Sequence, residues 1–118
     1  MVGLHYRLMQ ISSSNYLFKK EVEREKKLRQ YNKLNLIATI HGITLRNRKQ
    51  ELKYKQHYFC WFVRDKSELT LKEIGSILNK DHATVLHSIR SCNNLLDIKD
   101  SYFINIIKPI QEDLKNFY

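Results

Sequence analysis

Two neighbouring strings carry the side chains best suited to chemistry. Leu69-Thr70-Leu71-Lys72-Glu73-Ile74-Gly75 is followed, a few residues on, by Asp81-His82-Ala83-Thr84-Val85-Leu86-His87. Thr70 and Glu73 stand at capping-box spacing, each able to satisfy a backbone N–H that the other's helix start leaves open. Asp81 is a good N-cap for a second helix. Small hydrogen-bonding side chains at a helix start can enter a DNA major groove, which is about 12 Å wide. There Asp81 can accept from a cytosine amino group, and His82 can donate to a guanine or phosphate oxygen. Ala83 and the Thr84 methyl can pack on a thymine methyl, and the Thr84 hydroxyl can reach a phosphate. Plainer readings stand beside these. Asp81 can be a cap alone, His82 a solvated helix-start histidine, and His87 a residue packed on a neighbouring helix.

Other chemistries have less support. His57 and Cys60 stand three apart, as metal ligands can, but no second Cys or His pair has suitable spacing, so a core role is expected. The cluster Tyr58, Phe59, Trp61, Phe62 and Val63 could stack single-stranded bases. Aromatics this dense are expected in a core instead. No nucleophile has a partner base, no carboxylates pair, and no G-x-x-x-x-G-K-[ST] phosphate loop occurs, so neither enzyme activity nor ATP binding is expected, and no cofactor or metal.

The chain of 118 residues carries 21 Lys and Arg against 12 Asp and Glu, a net charge of +9. Residues 1–63 hold 13 of the bases and four acids, while residues 64–118 hold eight of each. A one-sided excess marks a surface that meets a polyanion. Nucleic acid is the leading partner. A basic amphipathic helix over residues 16–40 on an anionic membrane is the lesser reading, and no membrane association is expected. No secretory signal is read at the N-terminus. Cys60 and Cys92 lie in apolar stretches and cannot form a disulfide scaffold. A cytoplasmic, nucleoid-associated setting is therefore expected.

The elements that must position these residues read as helices, because 3 Gly and 1 Pro are too few for many strand-joining turns. Residues 1–12 read as an arm, and Ser12, Ser13, Ser14 and Asn15 as an N-cap cluster. Tyr16, Leu17, Val22, Leu28, Tyr31, Leu34, Ile37 and Ile40 then form an imperfect helical stripe, ending at Gly42. The Lys19–Lys33 run reads as a solvated face. A basic segment, residues 45–57, runs into a buried helix around Tyr58–Val63. Two short helices follow, the second with Val85, Leu86, Ile89, Cys92 and Leu96 inward, joined by a tight Asn79-Lys80 turn. A last helix from about Asp100 carries Tyr102, Ile106, Ile110 and Leu114, with a kink or break at Pro109. The whole is an all-α fold of five or six helices containing a helix-turn-helix, with residues 1–33 as arm and basic helix and 34–118 as the domain proper.

The L-x-E-I-G and D-H-A-T-V-L-H strings resemble the C-terminal DNA-binding domain of the bacterial replication initiator DnaA, over about residues 34–97. The resemblance implies a double-stranded-DNA-binding domain, replication-linked or regulatory, with replication proteins as further partners. Carried over by position, Asp81, His82, Ala83 and Thr84 are base readers. Arg46, Arg48 and Lys49 resemble the family's basic loop at the backbone and minor groove, where Lys53 or Lys55 can substitute for an arginine whose place falls near Tyr54. Lys80 and Arg90 add phosphate contacts. The Asn79-Lys80 turn is one residue shorter than the family's common form, and Ala83 replaces a hydroxyl residue. A helical adaptor that has lost DNA recognition and binds a protein partner is the alternative.

Overall fold

The computed structural model describes residues 4–46 and 49–117, with side chains from Asn15 onward. Five helices and no strand occur among the described residues: α1 (Leu4–Ile40), α2 (Gln50–Lys66), α3 (Leu71–Leu78), α4 (His82–Asp97) and α5 (Ser101–Phe117). The all-α expectation holds.

The apolar run on α2 is the hub. Tyr58, Phe59, Cys60, Phe62 and Val63 are buried, and they join one cluster with Ile74, Ile77 and Leu78 of α3, Val85 and Cys92 of α4, and Phe103, Ile107, Ile110 and Leu114 of α5. The half-buried Trp61 keeps its indole N–H satisfied by donating to Asn93 Oδ1 on α4 at 2.8 Å. Burial pushes the thiols of Cys60 and Cys92 up to about 12, so both behave as small apolar groups rather than nucleophiles.

α1 differs from the sequence expectation. It starts at Leu4, not at the Ser12–Asn15 cluster. No glycine or proline lies between Leu4 and Ile40, and an interior serine costs only about 0.5 kcal/mol relative to alanine, so the serines do not halt it. The expected stripe is buried only near its end. Leu34, Ile37 and Ala38 enter the core, whereas Tyr16, Leu17, Val22, Leu28 and Ile40 are exposed. Position 33 falls inside the helix, which therefore projects from the body and gives the molecule extents of 71 × 25 × 24 Å. Its C-terminal half, and His41 just beyond its end, are pinned by polar contacts. Lys27 Nζ lies 2.8 Å from Glu73 Oε1, Tyr31 Oη 3.0 Å from Ser76 Oγ, and His41 Nε2 2.6 Å from Asp113 Oδ2. Gly42, at φ +69°, ends the helix as expected, and Ile43 N–H returns to Ala38 O at 3.1 Å.

Three smaller corrections concern which face turns inward. On α4, Ser88 is buried in place of Leu86, which is exposed. On α5 the inward set is Phe103, Ile107, Ile110 and Leu114, one residue later than expected over its first two turns. Pro109 lies inside α5, which runs unbroken to Phe117.

Candidate nucleic-acid interface

The start of α4 is built by two devices. The first is the ending of α3. Thr70 Oγ1 accepts from Glu73 N–H at 3.2 Å and Glu73 Oε1 accepts from Thr70 N–H at 3.0 Å, which completes the expected capping box. Directly after α3, Asn79 takes the left-handed conformation, φ 56° and ψ 41°, which Asn tolerates better than most residues. Lys80 N–H then donates back to Gly75 O at 2.8 Å. This folds the Asn79-Lys80 turn over Gly75 so closely that a Cβ there would meet the Lys80 carbonyl inside the 3.0 Å that real Cβ contacts respect. The glycine of L-x-E-I-G is therefore a packing requirement of the tight turn.

The second device is Asp81. Its Oδ1 accepts from Thr84 N–H at 2.7 Å, the N-cap bond expected from the sequence. That bond holds the Asp81 carboxyl below its ordinary range. The cap is therefore present above the ordinary carboxylate pKa and is lost only as pH falls through the lowered folded value. Asp81, His82, Ala83 and Thr84 are all exposed. They stand together on a helix end whose first-turn N–H groups point outward.

The remaining named residues are spread over two connections and two helices. Arg46 is exposed between α1 and α2, and Lys49 is exposed at the N-cap of α2. Arg48 lies outside the described residues. Lys53 and Lys55 are on α2 itself rather than in a loop; Lys53 is exposed and Lys55 half-buried. Lys80 is exposed in the turn and Arg90 is exposed on α4.

Side-chain pairings orient α2 against α4. His57 faces His87 with ring centroids 6.2 Å apart, and Trp61 bonds Asn93. Partners advance in the same sense along both helices. Lys53, one turn before His57, and Thr84, about one turn before His87, therefore lie toward the same end of the body. The basic start of α2 and the capped start of α4 share that end.

Tyr54 takes no part in a basic surface. Its ring packs edge-on against Phe103 at 5.3 Å and Tyr102 at 5.9 Å on α5. Leu86, His87 and Asn94 are exposed and recur with Ala83 and Arg90 at three- and four-residue steps. They extend the outer face of α4 beyond the four residues named from sequence. His87 reaches His57 but remains exposed, so the sequence reading of a packed residue is only half met. The three- and four-residue spacing of Ala83, His87, Arg90 and Asn94, none of them a large apolar residue, was the available signal.

His57 is a consequence of this packing. Its Nδ1 is buried with no hydrogen-bond partner among the described residues. Burial, with His87 and Lys53 nearby, lowers its pKa from 6.5 to about 4. The folded chain holds His57 neutral at a pH where the unfolded chain binds a proton, so stability falls as pH drops from 6.5 toward about 4. His57→Gln should flatten this part of the stability profile. Urea unfolding of both proteins across that range is the check, and parallel profiles would exclude His57 as the cause. No group of three or more His, Cys, Asp or Glu that could hold a metal occurs among the described residues. Among them, too, no helix is long and apolar enough to cross a membrane.

Residues 37–92 match the family model for the bacterial dnaA protein helix-turn-helix. The chain is also similar to the chromosomal replication initiator protein DnaA of Ureaplasma parvum serovar 3, at 34% identity over 55 residues. That match covers 46% of this chain and 12% of the Ureaplasma protein's length. No solved structure matches.

Proposed function

From a chain whose residues 37–92 match the bacterial dnaA helix-turn-helix model, we propose a double-stranded-DNA-binding protein with sequence preference, replication-linked or regulatory. The observation that carries this reading is the exposed, Asp81-capped start of α4, set at the same end of the body as the basic start of α2. In this reading α4 enters the major groove by its first turn. Asp81, His82, Ala83 and Thr84 touch base edges, and Arg90 reaches a phosphate farther along the helix. Arg46, Arg48, Lys49, Lys53, Lys55 and Lys80 supply backbone contacts, which set register without reading sequence. Ala83 offers only a methyl, which favours a thymine at its position. Residues 34–118 form the DNA-binding unit. Replication proteins are the further partners, and the nucleoid is the site of action.

Selection of bound duplexes from a random pool tests the preference. Single substitutions then test the assignment. His82→Ala should cost about 1–3 kcal/mol on the selected site and little on random duplex. Asp81→Asn is sharper, because Asn caps a helix about as well as Asp. Thermal stability should stay nearly intact while preference changes at one base pair. Competition over single-base variants reads both. An unchanged ranking in both proteins would mean that the helix start is a cap and nothing more.

A further inference from the structure

We propose that α1 pairs with α1 of a second copy of this chain as an antiparallel two-helix interface. The face of α1 that meets its own body is defined by contact: Lys27 bonds Glu73, Tyr31 meets Ser76, and Leu34 and Ala38 are buried. At 3.6 residues per turn, Phe18, Val22, Glu25, Arg29, Leu36 and Ile40 fall on the far side. The large apolar members are open to solvent: Phe18 is 70% exposed, Val22 41%, Leu36 53% and Ile40 67%. Over residues 18–25 this line stands clear of the body, and toward its C-terminal end it borders α5, where Leu36 and Ile40 share a groove with Phe117. Residues 15–26 are exposed apart from any neighbouring element, and a helix without tertiary packing is marginal in water. The projecting part therefore needs a partner to cover it.

The order of residues along the line identifies the partner and its direction. Apolar groups stand at both ends, with an acid and a base in the middle. When two copies run antiparallel about a two-fold axis near position 27, Phe18 meets Leu36 of the second copy and Val22 meets Asn32. Glu25 then meets Arg29 of the second copy, and the symmetry forms that ion pair twice. Neither Glu25 nor Arg29 belongs to an ion pair within the described chain. Phe18 also arrives at an open groove of about 350 Å³ whose lining includes Leu36, Ile40 and Phe117. Lys19 and Lys33 of opposite copies share one edge of the pair, where water and counter-ions screen them. Parallel pairing in register would instead set Glu25 against Glu25 and Arg29 against Arg29, which like charge disfavours.

Sedimentation of the full chain and three variants tests the pairing. The wild type should sediment at twice its 14.2 kDa chain mass at high micromolar concentration. Glu25→Arg and Arg29→Glu should each weaken association at least about tenfold, because each brings like charges together at two places. The double reversal, Glu25→Arg with Arg29→Glu, should restore the dimer. A wild type that stays monomeric, even one that instead binds anionic vesicles, would overturn the proposal. So would single reversals without effect, or a double reversal as dissociated as the singles. The rescue separates a lost contact from a misfolded helix.

Discussion

Affinity for any duplex should fall about 500-fold between 50 and 200 mM salt, the consequence of about five phosphate contacts at a log–log slope near −4.5. Seven side chains could supply those contacts: Arg46, Arg48, Lys49, Lys53, Lys55, Lys80 and Arg90. The described ones among them are exposed except Lys55, which is half-buried and the weakest contributor. Replacing Lys53 or Arg90 with alanine should shallow the slope by about 0.9 each and weaken all sequences alike. Both side chains are exposed, so their loss should leave the melting temperature nearly unchanged. A titration series in salt, on one preferred and one random duplex, measures the slope and separates positioning from reading. If the slope is shallower than about −1, the basic surface does not meet a polyanion along its length. The helical adaptor with a protein partner would then be the better account.

How much of this interface was legible in the sequence depends on whether a feature is local. The capping box at Thr70 and Glu73 and the cap at Asp81 are settled within four residues, and both form as read. The helix around Tyr58–Val63 is apolar on every side, so its burial needs no choice of face. Where a choice is needed, the sequence underdetermines it. On α5, Ile104, Ile106 and Ile107 offer several apolar lines at nearly the same spacing, and contact with α2 selects the one through Phe103 and Ile107. On α4 Ser88 faces the packed side, where its side chain meets Cys60, while Leu86, about half a turn round the helix, stays out. Tyr54 is similar: nothing within α2 announces that Phe103 and Tyr102 will cover its ring. The length of α1 escaped for the opposite reason. A serine cluster reads as a cap only if the helix has somewhere to begin, and upstream residues without glycine or proline carried it on to Leu4.

Gly75→Ala should be the most damaging single methyl in the chain. The added Cβ meets the Lys80 carbonyl and lies 3.4 Å from Val85 Cγ2, so backbone rather than a flexible side chain must give way. Lys80 cannot move alone. Its N–H is bonded to Gly75 O, and the next residue, Asp81, caps α4. Relief therefore tilts α4 away from α3 and opens the core at Val85, which is 1% exposed. Overpacking of this kind costs about 3 kcal/mol or more, or about 10–15 °C in melting temperature for a domain of this size. Gly42→Ala separates sterics from backbone preference. Gly42 has φ +69°, but its added Cβ would find only Leu45 Cδ1, at 3.8 Å. Its cost should stay near the 1–2 kcal/mol of a left-handed alanine. Thermal melts of the two variants beside wild type check the difference, and duplex binding of Gly75→Ala below its melting point checks the tilt. A Gly75→Ala protein that melts within a few degrees of wild type would mean that the turn yields without moving α4. The glycine would then have no part in setting the position of α4.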